Sequence, residues 1–160
     1  MIIGKMIENK LEKKKYLREL VSNQLKHVPS GRRLVYSDLS RISKHITISV
    51  FDEDNCCVWG GYVTNAKNSH KGVYVNFFFR NKKVALHRLL YENFVGPLGD
   101  DYYLKFTCDN QGNRGKCCNV NHMVKHKYNN IEESCDDKPV TKNIQKKSTD
   151  TLDLLTLRFY

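Results

Sequence analysis

Apolar residues at helical spacing mark three segments of the chain. Between residues 5 and 27 they recur every three or four positions among Lys and Glu, which predicts a helix that ends before Pro29. Residues 86–94, "LHRLLYENF", have the same spacing and precede the helix-stopping run "VGPLG". A shorter helix is predicted at residues 38–43, with Ser37 as its cap.

Alternating apolar positions predict the strands. "HITISVF", residues 45–51, is rich in β-branched residues and reads as a strand. "KGVYVNFFFRNKKVAL", residues 71–86, predicts a hairpin that turns at "RNKK", and "DYYLKF", residues 101–106, predicts another short strand. A helix is predicted over residues 121–134. The pattern as a whole indicates an α+β fold with a small antiparallel sheet.

The pattern changes near the C-terminus. The segment from residue 133 is polar and lacks periodicity until "TLDLLTLRFY" closes the chain. We therefore predict a basic N-terminal helical arm at residues 1–45, a central domain at residues 46–132, and a polar linker with an apolar tail at residues 133–160. An apolar end after a polar linker needs a docking surface, so a homodimer or larger assembly is expected.

Charge and composition narrow the class of partner. The 160 residues carry a formal net charge of +10, which favours a polyanionic partner such as DNA or RNA. An anionic membrane surface is the less favoured alternative. No apolar run is long enough to span a bilayer. No secretory signal is evident, so we expect an intracellular protein whose thiols stay reduced.

The segment "LKFTCDNQGNRGKCCNVNHM", residues 104–123, is the main candidate for chemistry. It cannot bury an apolar face, yet it holds thiols and an imidazole, the ligands that structural zinc sites use. Cys108, Cys117 and His122 supply three ligands, and either Cys56 or Cys57 would supply the fourth. The alternatives are ordinary buried thiols and, in an oxidising compartment, disulfides.

The cysteine spacing forms part of a longer pattern. It comprises Cys-x-x-Trp at Cys56 and Trp59, "HRLLYENFVGPL" after a hairpin, "CDN" at Cys108, and a Cys-x-x-x-x-His closure at Cys117. In this order, from residue 56 to about residue 130, the chain resembles the HNH and His-Cys box homing endonucleases. These belong to the His-Me finger (ββα-metal) group with a zinc-binding loop.

The resemblance implies a ββα-metal-like domain, a DNA substrate and a structural zinc. Its zinc ligands would be the residues at the matching positions, namely Cys56, Cys108, Cys117 and His122. In active members a histidine two residues before the second zinc cysteine is the general base, and an Asn on the following helix binds Mg²⁺. Here Phe106 occupies the base position, and Asn130, or alternatively Asn129, occupies the Mg²⁺ position.

A phenyl ring accepts no proton, so catalysis is expected to be lost. The predicted function is therefore a zinc-stabilised nucleic-acid-binding protein with a structural or assembly role. The alternative is an active Mg²⁺-dependent DNA endonuclease with a substitute base, for which His87 and His126 are candidates. Nucleic-acid contacts are expected from basic side chains of the hairpin and of the "PSGRR" turn: Lys71, Arg80, Lys82, Lys83, Arg32 and Arg33.

Overall fold

The computed structural model describes residues 2–68 and 72–129. Within these ranges the chain is α+β, as predicted, with three α-helices and two two-stranded antiparallel sheets. The elements in chain order are α1 (Ile2–Asn23), α2 (Tyr36–His45), β1 (Asn76–Phe79), β2 (Lys82–Ala85), α3 (Leu86–Phe94), β3 (Tyr102–Phe106) and β4 (Met123–Lys127). The predicted linker and tail at residues 133–160 lie outside the described residues.

The first hairpin is confirmed. β1 pairs with β2 in the register Phe79↔Lys82, and Arg80 and Asn81 form the turn between them. Both turn residues have positive φ, 48° and 62°, as a two-residue type I′ turn requires. α3 follows β2 directly and covers residues 86–94, the range that its apolar spacing predicts.

A buried asparagine joins α3 to the N-terminal segment. Asn93 Oδ1 accepts hydrogen bonds from Gln24 Nε2 at 2.8 Å and from Leu34 N at 3.0 Å. Its Nδ2 donates to Arg32 O at 3.0 Å and to Leu89 O at 2.7 Å. The residues around α1 and α2 therefore pack on the same core as α3, and a buried polar side chain satisfied in this way fixes their register.

The helices of the first 45 residues differ in detail from the prediction. α1 buries Tyr16 and Leu20, whereas Ile7 and Leu11 are 64% and 66% exposed, because only the second half of the helix lies on the core. α2 begins at Tyr36, so Ser37 lies inside the helix and its predicted capping role is wrong. The carboxylate of Asp38 accepts the Val35 N–H at 3.1 Å instead.

Two secondary-structure predictions are wrong. His45 ends α2, and residues 46–51 form irregular structure with bends and a turn, since no neighbouring strand pairs with the segment in the described part of the chain. Residues 123–127 form strand β4, which pairs with β3 from Phe106↔Met123 to Tyr102↔Lys127, where a helix was predicted. Long-range pairing decided this element, and local spacing does not reveal it.

The described elements share one hydrophobic core. Buried side chains from all three helices and from both hairpins form a single cluster, which includes Leu20, Ile42, Phe77, Leu89 and Met123. Trp59 also belongs to this core. Among the described residues, no helix has the length and apolar character that a bilayer span requires.

Candidate metal centre

The four side chains that the resemblance implies come together at the loop end of the β3–β4 hairpin. The ligand atoms of Cys56, Cys108, Cys117 and His122 all lie within 4.8 Å of one another. His122 Nδ1 lies 3.5 Å, 3.8 Å and 3.6 Å from the three sulfur atoms, in that order. A tetrahedral zinc ion, with Zn–S near 2.3 Å and Zn–N near 2.0–2.1 Å, separates nitrogen and sulfur by about 3.6 Å. The group could therefore hold a metal ion such as zinc.

The environment of the cluster suits a bound cation. Cys108 and Cys117 are buried, while Cys56 and His122 are partly exposed. Burial, followed by the neighbouring thiols of Cys117 and Cys56, raises the pKa of Cys108 to about 12. Burial also raises the pKa of Cys117. Without a cation these thiols hold their protons at neutral pH, and a zinc ion would replace those protons.

Backbone pairing brings the upstream cysteine to the loop. Val58 forms an antiparallel bridge with Cys117, and Trp59 N donates to Lys116 O at 2.9 Å. At the other end of the loop, Thr107 N donates to His122 O at 2.9 Å, which extends the β3–β4 pairing toward Cys108. The segment at Cys56 therefore meets both ends of the loop that connects β3 to β4.

Asn119 stabilises this meeting point, and the sequence interpretation missed it. Its fully buried Nδ2 donates to Asp52 O at 2.8 Å and to Asn55 O at 2.7 Å. Its Oδ1 accepts the Asn121 N–H at 2.9 Å, and its own N–H donates to Cys117 Sγ at 3.4 Å. A signal was available, because an Asn between a candidate ligand pair is a common cap for a short turn.

In each of the two Cys-Cys pairs, one cysteine belongs to the cluster and the other does not. Cys57 and Cys118 are buried outside the cluster, and Cys118 N donates to Cys57 O at 2.7 Å. The Cys57 thiol donates to Ile48 O at 3.3 Å, and burial raises its pKa to about 12. Cys56, rather than Cys57, therefore faces His122, which resolves the alternative that spacing left open.

The loop segment "QGNRGK", residues 111–116, packs against the segment that precedes β1. Gly115 has a φ of +81°, and a Cβ there would lie 1.8 Å from Val73 O. Only glycine fits such a position. Arg114 Nε donates to Cys108 O at 3.1 Å, so this segment also holds the backbone of a cluster cysteine.

The residue at the expected base position packs on an imidazole. The Phe106 ring lies 5.3 Å from the His87 ring in an edge-to-face arrangement. Burial, with a smaller contribution from Arg88, lowers the pKa of His87 to about 4, and its buried Nδ1 has no hydrogen-bond partner. His126 lies on β4, where its ring stacks on Tyr103. Asn130 lies outside the described residues, and Asn129 is exposed.

Of the residues predicted to contact nucleic acid, the arginines bond to other parts of the fold, whereas two lysines of the β1–β2 hairpin are exposed. Arg32 pairs with Glu92 at 2.6 Å, and Arg33 donates to Leu25 O and Lys26 O, so both guanidinium groups support the fold. Arg80 donates to Ser30 O and lies over the Phe79 ring. Lys82 and Lys83 are exposed on β2. Lys71 lies outside the described residues.

Comparison with curated proteins finds a similar viral sequence. The uncharacterized protein R328 of Acanthamoeba polyphaga mimivirus is 52% identical over 130 residues, which cover 81% of this chain. Those residues are 37% of the relative, so the chain spans little more than a third of its length. No family model matches the chain. No solved structure matches it. What these comparisons establish is close sequence similarity to part of a mimivirus protein.

Proposed function

We propose that this chain is a zinc-stabilised nucleic-acid-binding module on a His-Me finger-like framework that has lost its hydrolytic chemistry. The observation that carries the proposal is the Cys56–Cys108–Cys117–His122 cluster, whose nitrogen–sulfur separations match a tetrahedral zinc ion. Four protein ligands close such a site, so the ion's role is structural: it links the segment at Cys56 to the β3–β4 hairpin.

The framework assignment has geometric support. β3 and β4 form an antiparallel pair whose connecting loop carries three of the four cluster residues. A ββα-metal arrangement would use such a pair as its ββ part. Phe106 ends β3 two residues before Cys108, at the position where the resemblance places a general base.

The loss of chemistry follows from the side chains near that position. Phe106 carries no group that accepts a proton. His87 touches it, but a pKa of about 4 makes its imidazole a weak base at neutral pH. These residues favour a binding module over an active endonuclease.

Nucleic-acid binding is supported by charge and by the β1–β2 hairpin. The chain carries a net charge of +10, and Lys82 and Lys83 are exposed beside a tight type I′ turn. A two-stranded ribbon fits the major groove of DNA, and lysines near its tip contact phosphates. The proposed partner is DNA or RNA, with electrostatic contacts that weaken as salt rises.

The test is fluorescence anisotropy of a labelled 20-base-pair duplex with the zinc-loaded full chain at several salt concentrations. Log affinity should fall linearly with log salt, by about 0.9 per phosphate neutralised. The double variant Lys82→Ala/Lys83→Ala should reduce the slope by about 2, whereas Lys5→Ala/Lys26→Ala, the same charge change at exposed positions elsewhere, should leave the hairpin contribution intact.

Two outcomes would overturn the proposal. A native chain that binds no duplex or structured RNA at low salt is not a nucleic-acid-binding protein. Rapid linearisation of a supercoiled plasmid in Mg²⁺, abolished by Asn130→Ala, would instead make it an endonuclease with a substitute base.

A further inference from the structure

Three aromatic rings line one face of the β3–β4 sheet. Tyr103 and His126 are directly opposed in the register, with stacked rings inclined by 29° whose centroids lie 5.7 Å apart. Tyr128 lies two residues beyond His126, and its ring centroid is 4.9 Å from that of Tyr103. Tyr128 is 51% exposed, and Tyr103 and His126 are partly exposed, so the array reaches the surface instead of joining the core.

A cation accompanies the array. Lys105 lies on the same face as Tyr103, two residues along β3, and its Nζ is 5.7 Å from the Tyr103 ring centroid. Lys105 is exposed. On the opposite face Lys125 has a different role, because its Nζ lies 4.0 Å from the Tyr102 ring and donates to Pro97 O at 2.9 Å.

The position of Tyr128 is set by the backbone. Tyr128 N donates to Asp101 O at 2.8 Å, one step beyond the last pair of the β3–β4 ladder. The ladder therefore continues as far as this residue, and the outer ring is held beside Tyr103 by regular sheet geometry. A surface of this kind offers ring faces in fixed positions at little entropic cost.

We propose that this face, defined by Tyr103, Lys105, His126 and Tyr128, is a binding site for an unpaired nucleobase of single-stranded nucleic acid. The base stacks on the exposed Tyr128 side of the array, and Lys105 contacts an adjacent phosphate. This inference rests on the proposed nucleic-acid function and adds a substrate class to it.

Charge and ring chemistry together argue for this occupant. Rings paired with exposed lysines are the combination that single-strand binding surfaces use, since every base has a π-face and every linkage carries a negative charge. A paired base in a duplex has no free face to offer, so duplex DNA would use the Lys82 and Lys83 hairpin instead. A protein partner or a second copy of the chain is an alternative occupant, which the experiment below distinguishes.

The experiment compares labelled single-stranded 12-mers, oligo(dT) and oligo(U), with a duplex of the same length, by anisotropy on the zinc-loaded full chain. Tyr128→Ala and Tyr103→Ala should each weaken single-strand binding by about 5- to 100-fold, the range that one base–aromatic stack supplies. Tyr128→Phe keeps the ring and should change affinity less than about 2-fold. Tyr62→Ala, at a tyrosine that is 80% exposed elsewhere, is the matched control and should have no effect.

The outcomes separate this inference from the proposed function. Single-strand affinity that is unchanged in Tyr128→Ala overturns the stacking site, while duplex binding that still depends on Lys82 and Lys83 leaves the proposed function standing. Failure of the native chain to bind any oligonucleotide overturns both. Tyr128→Ala decides the matter alone if Tyr103→Ala does not fold, because Tyr128 is the more exposed ring. Self-association that Tyr128→Ala abolishes, without single-strand binding, would assign the face to a second copy.

Discussion

The side-chain amide of Asn119 donates to the carbonyl oxygen of Asn55 at 2.7 Å and so joins the loop that precedes Cys56 to the turn that follows Cys117. Neither residue is a cluster ligand. The contact supports the approach of the upstream cysteine to the other three, because the buried amide satisfies carbonyls of one segment while its own backbone belongs to the other.

Replacing Asn119 by alanine should therefore weaken zinc binding by about 10- to 100-fold, as is typical when an outer partner of a metal ligand is removed. Competition with a chromophoric chelator measures this. The control is Asn121→Ala, since Asn121 is exposed and its Nδ2 contacts the same segment at 3.1 Å and 3.3 Å. Equal losses in the two variants would refute the specific role of Asn119.

Gly115 should tolerate no side chain. Gly115→Ala requires an alanine at a φ of +81° with its Cβ 1.8 Å from Val73 O, so the loop must move and carry Arg114 away from Cys108. We expect a variant with markedly lower thermal stability and lower zinc content. Gly112→Ala, whose Cβ would meet only Asn110 Oδ1 at 3.1 Å, should be far milder. Denaturation curves with zinc analysis compare them.

Zinc binding should release protons. Burial and neighbouring thiols raise the pKa of Cys108 to about 12, and burial raises that of Cys117, so both sulfurs are protonated at pH 7 before the metal enters. At least two protons should therefore leave per zinc ion, and affinity should fall as the pH falls. Isothermal titration calorimetry in buffers of different ionisation enthalpy counts the protons. Release of less than one would contradict thiolate ligation.

His87 should make the fold sensitive to acid. Its pKa is lowered to about 4 in the folded chain, below the ordinary value of 6.5, so the unfolded chain binds a proton first as the pH falls. The associated stability is fully present above pH 6.5 and is lost as the pH falls toward 4, at up to about 1.4 kcal/mol per pH unit.

The measurement is the difference in unfolding free energy between the native chain and His87→Leu from pH 7 to pH 4. Both proteins keep the metal cluster, so the difference isolates this imidazole. As the pH falls, the unfolding free energy of the native chain should decrease relative to that of His87→Leu. A difference that is constant with pH would show that His87 does not titrate as its buried position indicates.

Restoring an imidazole at the base position should restore hydrolysis. Phe106→His places a proton acceptor two residues before Cys108, and a general base contributes about 10²- to 10⁴-fold. We expect Mg²⁺-dependent plasmid nicking above that of the native chain, with Phe106→Asn as a control that is polar but a poor base. Equal activity in the native chain and Phe106→His would remove the basis for assigning this position to a lost base.

The sequence predicted those parts of the molecule that depend on local pattern or on ligand chemistry. α3 has a strong apolar period and a clear stop signal, and the Arg80–Asn81 turn has the residues that a tight hairpin accepts. The candidate ligands could be named because few residue types bind zinc at all. These features need no knowledge of the rest of the fold.

Other features depend on contacts between distant segments. β4 is a strand because β3 is available to pair with it, although its own spacing suits a helix. Cys56 and Cys57 are adjacent and chemically identical, and only the pairing of Val58 with Cys117 determines which one faces His122. Asn119 can be recognised from its position as a cap of a short turn, but its bonds to the carbonyls of Asp52 and Asn55 depend on the fold.

The most direct test of the account is the metal content of the full chain, purified under reducing conditions, together with two adjacent substitutions. We predict one zinc ion per native chain, with X-ray absorption indicating three sulfur ligands and one nitrogen. Cys118→Ser should retain the zinc, whereas Cys117→Ser, one residue away, should lose most of it. A native chain without bound metal, or equal zinc in the two variants, would contradict the Cys56–Cys108–Cys117–His122 centre on which the proposed function depends.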